Sequence, residues 1–106
     1  MDYSSKLIED AVNAFATLPG IGKKTALRLT LHLLNKEPDE TTMFVHAIDT
    51  FRQKIRRCKQ CFNIADDEIC LICKNRTRNR SVICVVEGIR DVMAIEDTAH
   101  SNGLYH

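Results

Sequence analysis

The chain has 106 residues, 44% of them hydrophobic, and its 15 Lys and Arg against 14 Asp and Glu leave a net charge of +1. That length accommodates one ordinary domain or two or three very small ones, and units of a few dozen residues need a staple such as a metal. So small a net charge argues for no partner, and no apolar run is long enough to span a membrane.

Residues 4–17 carry Leu7, Ile8, Ala11, Val12 and Phe15 at helical spacing, which predicts an amphipathic helix. Residues 18–29 read LPGIGKKTALRL. A second helix is expected over 23–35, with Ala26, Leu27, Thr30, Leu31 and Leu34 on one side. After the break at Glu37-Pro38-Asp39, Phe44, Ile48, Phe51 and Ile55 mark a third helix, expected to be capped by Asp39 or Thr41. From Cys58 to Cys73 periodicity gives way to paired cysteines. SVICVV at 81–86 is a β-branched apolar run that reads as a strand buried on both faces. Glu87-Gly88 ends it, and a helical pattern follows over 91–96, the opening of a parallel α/β unit. A single strand makes no sheet, so the chain reads as a fragment or its strand pairs elsewhere. The fold class expected is α+β and multi-module: a helical hairpin domain at 1–56, a zinc module at 57–76 and the start of an α/β domain at 77–106.

Charge follows these divisions. Residues 1–51 hold five Lys and Arg against seven acids, a net of −2; residues 52–80 hold nine against three, +6; residues 81–106 hold one against four, −3. The middle is thus a basic block between mildly acidic flanks. Neither a signal peptide nor a lipidation motif is recognisable, so a cytoplasmic location with reduced cysteines is expected.

Cys58, Cys61, Cys70 and Cys73 form C-x2-C-x8-C-x2-C. Each pair bends the chain so that two thiolates face one ion, and four thiolates in a closed tetrahedron suit one structural Zn2+. Iron fits the same ligands, and unpaired reduced cysteines are the plain alternative. Cys84, inside the apolar run, is expected to be a buried inert thiol. Lys59, Lys74, Arg76, Arg78 and Arg80 crowd the module, either as a solvated surface or as a nucleic-acid face.

The hairpin between the first two helices suits an anion. Gly20 and Gly22 carry no Cβ and can adopt positive φ, so a phosphate can approach the backbone. The unpaired N–H groups of the helix opening at Lys23 point into the loop, and Lys23, Lys24 and Arg28 add charge. Such a site grips phosphates and reads no bases, giving DNA contacts without sequence specificity. The alternative is a glycine-punctuated turn without a ligand. Glu96-Asp97 reads as solvated charge at a helix end, and His32, His46, His100 and His106 show no partner spacing.

LPGIGKKTA resembles the helix-hairpin-helix DNA-binding motif. That hairpin, then four cysteines, then VVEGIRDVMAIE at 85–96, resembles the RecR family of bacterial recombination mediators over essentially the whole chain. The resemblance implies a Toprim domain beginning at the last segment and continuing beyond this sequence. It implies a non-enzymatic, nucleoid-associated clamp that self-associates through its N-terminal helices. Such clamps bind single- or double-stranded DNA and work with RecO or RecF to load RecA onto single strands coated by single-strand-binding protein. Glu87 matches the Toprim glutamate that holds magnesium in topoisomerases and primases, but no Asp-x-Asp follows it here. Rival readings are the N-terminal piece of a Toprim nuclease or primase, and a zinc-stapled protein-interaction module.

Overall fold

A computed structural model describes residues 2–106, which divide into two compact units, one ending at Ala47 and one spanning Ile48–His106. In the first, α1 (Lys6–Ala16) starts at Ser5, whose Oγ accepts from the Ile8 N–H at 3.3 Å and so satisfies one orphan donor of the first turn. α2 (Lys23–Leu34) packs against α1. α1 buries Val12; α2 buries Ala26, small enough to bring another element close, and Thr30. The Thr30 hydroxyl donates to the Ala26 carbonyl at 2.9 Å, so burying it leaves no unpaired polar group.

α3 (Pro38–Lys54) runs across the division between the units. It opens on Pro38 itself, earlier than expected. Proline lacks only an N–H that the first turn could not have used, so the expected cap at Asp39 or Thr41 gives way to Asp39 and Glu40 inside that turn. Arg52 and Lys54 close the helix, so both ends complement its dipole. Among the described residues α3 buries no side chain, and Phe44, Ile48 and Phe51 are 49%, 55% and 58% exposed.

In the second unit β1 (Arg56–Arg57) pairs antiparallel with β2 (Ile64–Ala65), Arg56 opposite Ala65 and Arg57 opposite Ile64. A one-turn helix, α4 (Leu71–Lys74), follows. β3 (Ile83–Cys84), α5 (Ile89–Thr98) and β4 (Leu104–Tyr105) then complete a parallel β–α–β unit, with Ile83 opposite Leu104 and Cys84 opposite Tyr105. The strand expected over 81–86 is therefore short and far from buried. Val82, Ile83 and Val85 are 43%, 61% and 78% exposed, because a sheet of two strands leaves its faces uncovered. Cys84 is half-buried rather than buried for the same reason. The helical pattern read from 91–96 lies within α5. Gly103 lets β4 come close: a Cβ there would lie 2.5 Å from the Val82 carbonyl oxygen.

Candidate metal centre and nucleic-acid interface

The turns at the two cysteine pairs build the metal centre. Cys58 N–H donates to the Asn63 carbonyl at 2.6 Å and Phe62 N–H to the Cys58 carbonyl at 2.9 Å, folding the first pair into a knuckle. Cys70 caps α4, so Cys73 is presented one turn on. Backbone N–H groups point at sulfur: Asn63 to Cys61 Sγ at 3.4 Å, Cys70 to Cys58 Sγ at 3.3 Å and Cys73 to Cys70 Sγ at 3.4 Å. All four Sγ atoms lie within 4.8 Å of one another, and Cys61 and Cys70 are 3.7 Å apart. A tetrahedron with metal–sulfur bonds of about 2.3 Å has edges of about 3.8 Å, so the donor set fits zinc.

The four cysteines are at most 7% exposed and, with Ala65, are the core of this module; Ile69 and Ile72 pack against it. Burial raises the Cys58 thiol, but N–H donation from Cys61, Cys70 and Gln60 outweighs it and brings the value to about 6. Burial pushes Cys61 and Cys73 up. Four thiolates this close repel one another, and a divalent cation removes that conflict by ionising them together.

The surrounding cations are less free than their sequence suggests. Lys59 pairs with Glu68 at 3.0 Å and Lys74 with Asp67 at 3.3 Å, both at the surface. Arg80 donates to the Cys73 carbonyl at 2.8 Å, and Arg57 to the Phe62 carbonyl at 3.1 Å. Arg78 is largely withdrawn from the surface: its side chain is 13% exposed and clasps the Glu96 carboxylate with both terminal nitrogens. Tyr105 OH donates to the same carboxylate at 2.5 Å, and Arg78 reaches the Ser101 and Gly103 carbonyls at 3.5 and 3.4 Å. Glu96 is thus the centre of a half-buried network and not solvated charge; its partners lie 18 and 9 residues away, where no periodicity reveals them. Arg78 holds the Glu96 carboxyl below the usual carboxylate range, against desolvation and with help from Tyr105. Burial, then Glu96, pushes the Tyr105 hydroxyl up to about 12.

In the first unit the α1–α2 hairpin turns through an Ile21 N–H to Leu18 carbonyl bond of 3.2 Å. Gly20 sits at φ +80, which a side chain rarely adopts. Gly22 does not use that freedom: it is the N-cap of α2, at an ordinary φ of −82. It has no side chain to offer the first turn, so the N–H groups of Lys23, Lys24 and Thr25 precede the first intrahelical bond, Ala26 to Gly22 at 2.9 Å. A Cβ built on either glycine meets nothing within 4 Å, so the loop is open to an approaching group. Lys23, Lys24 and Arg28 are exposed, and Lys23 Nζ donates to Asn13 Oδ1 of α1, a neutral amide that leaves its charge uncompensated.

Two folded features therefore define the class: a helix-hairpin-helix followed by a four-cysteine metal module. Comparison with known families agrees, since the pattern described as RecR, helix-hairpin-helix matches residues 8–52 and the RecR four-cysteine zinc finger domain matches 55–75. The chain is 53% identical over 104 residues to a recombination protein RecR of Porphyromonas gingivalis, covering 98% of this chain and 50% of the relative. It is 54% identical over 106 residues to that of Flavobacterium johnsoniae and 53% to that of Cytophaga hutchinsonii, in each case all of this chain and 52% of the relative. The chain belongs to the RecR family, and its cysteine module holds a structural zinc. It spans about half the length of the curated relatives it matches. Among the described residues no helix is long and apolar enough to cross a membrane.

Proposed function

We propose that this chain is the DNA-gripping half of a recombinational-repair mediator, composed of a helix-hairpin-helix domain at 1–56, a zinc module at 57–76 and the beginning of a Toprim domain at 77–106. The hairpin binds the sugar-phosphate backbone of single- or double-stranded DNA, with Gly20 and Gly22 admitting a phosphate and Lys23, Lys24 and Arg28 supplying charge. Zinc keeps the second module folded and takes no part in chemistry. The whole protein acts in the bacterial cytoplasm, at the nucleoid, as a non-enzymatic oligomer that works with RecO and RecF to load RecA onto single strands coated by single-strand-binding protein. Glu87 is a carboxylate without catalytic duty.

The observation that carries the DNA reading is the side-chain-free N-cap of α2 beside three exposed cations, a ready anion site. Fluorescence anisotropy of labelled DNA across a salt series tests it. Each neutralised phosphate contributes about 0.9 to the log–log slope on duplex and about 0.7 on single strands. Lys23→Ala with Lys24→Ala flattens the slope and weakens binding equally on all sequences. Gly22→Val folds, since its φ is ordinary and the space is open, yet blocks approach. A double lysine variant that stays folded and binds like the parent at every salt overturns the proposal.

A further inference from the structure

Phe62 follows the second cysteine of the first knuckle and sits at φ +64. The turn requires that conformation, because it lets Cys58 reach the Asn63 carbonyl while the Asn63 N–H reaches Cys61 Sγ. Glycine would adopt it without cost; a bulky side chain there is an outlier. The ring gains little from burial in return, since it is 61% exposed, with an edge contact to His106 at a centroid distance of 6.1 Å. Backbone strain that packing does not repay concentrates at functional sites.

Phe62 also forms one wall of a cleft of about 420 Å³ inside the second unit, whose lining includes Arg57, Asn63, Glu87, Tyr105 and His106. That volume holds a planar heterocycle with its sugar. The lining combines an exposed ring with an amide, a carboxylate and a guanidinium able to meet the polar edges of a base. The second unit, residues 48–106, holds ten Lys and Arg against eight acids, a net of +2, so it does not repel a polyanion.

We propose that this cleft takes an unstacked nucleobase of single-stranded nucleic acid, with Phe62 as the stacking platform. The inference rests on the DNA reading above and adds a second contact, separate from the hairpin and selective for single strands. A paired base is already stacked within its duplex and is not free to enter the cleft, whereas every unpaired base has a face to offer.

Phe62→Gly and Phe62→Trp test it in the zinc-loaded chain. Glycine relieves the backbone and removes the ring. Zinc content and melting temperature are expected to hold or rise, duplex affinity to stay unchanged, and single-strand affinity to fall by roughly 5- to 150-fold, the equivalent of about 1–3 kcal/mol per stacked base. The chain has no tryptophan, so Phe62→Trp gives a sole reporter. Its fluorescence is expected to be quenched by oligothymidine and not by an abasic phosphodiester of equal length. Undiminished single-strand binding by Phe62→Gly, equal losses on duplex and single strand, lost zinc, or equal quenching by the abasic strand each overturns the inference. Failure of the hairpin reading looks different: there the double lysine variant keeps the parent's salt slope, whatever Phe62 does.

Discussion

At Glu96 one carboxylate accepts from Arg78 and from Tyr105, and joins the segment after the zinc module to α5 and β4. Its folded pKa is depressed, so its contribution to stability is complete above the unfolded value near 4.3 and is lost as pH falls through the lower folded value. Glu96→Gln keeps the shape and removes the charge. It is expected to cost about 2 kcal/mol at neutral pH, the scale of charge-assisted hydrogen bonds. The gap between parent and variant should close as pH falls below about 4. Urea unfolding of both proteins across a pH series measures it. Acid protonates the zinc thiolates in both, so the difference isolates the carboxylate. A gap that stays constant with pH shows that Glu96 is not stabilising as an anion. Nothing in the sequence announces this pair: Glu96 ends an amphipathic pattern and Arg78 stands in a basic run, and only the β–α–β turn brings them together.

Among the elements, legibility tracks how local the determinants are. α1 and α2 are readable because their apolar spacing and the intervening Pro19, Gly20 and Gly22 are local signals. The cysteine pairs are readable because ligand spacing is itself geometric, and the four thiols do converge. β3 departs from expectation because a β-branched run looks the same whether or not layers cover it, and β4, two residues long, has no pattern to read. Two predictions belong here. Since the core of residues 58–73 is mostly the ligands themselves, Cys58→Ser or chelation should abolish amide-exchange protection there while α1 and α2 keep their helical circular dichroism. Retained protection without metal would show that side-chain packing suffices. Gly103→Ala drives a methyl into the Val82 backbone and should cost about 1–3 kcal/mol. The loss should show as faster exchange at the Leu104 and His106 amides, which bond to Val82 and Cys84 at 2.8 and 3.1 Å. Unchanged exchange would mean that the pairing yields without strain.

For the whole molecule the quantity that the sequence leaves open is what the third helix packs against. Phe44, Ile48 and Phe51 recur at spacings of four and three, which place them on one stripe of α3. The same pattern suits a helix that closes its own chain's core and one that meets a second copy. Among the described residues no α3 side chain is buried, and each of the three is about half exposed. Contiguous apolar surface of this kind often marks an interaction site. The family resemblance implies self-association through the N-terminal helices, and this stripe is where to test it, since a self-complementary patch is what a twofold interface requires. Phe44→Glu with Ile48→Glu places like charges on that patch. Both positions are exposed in the single chain, so zinc content and circular dichroism should match the parent. Sedimentation equilibrium at tens of micromolar should then give a multiple of the chain mass for the parent and a single mass for the variant. A parent that sediments as one chain, or a charged variant that associates as the parent does, would assign the stripe to some other partner.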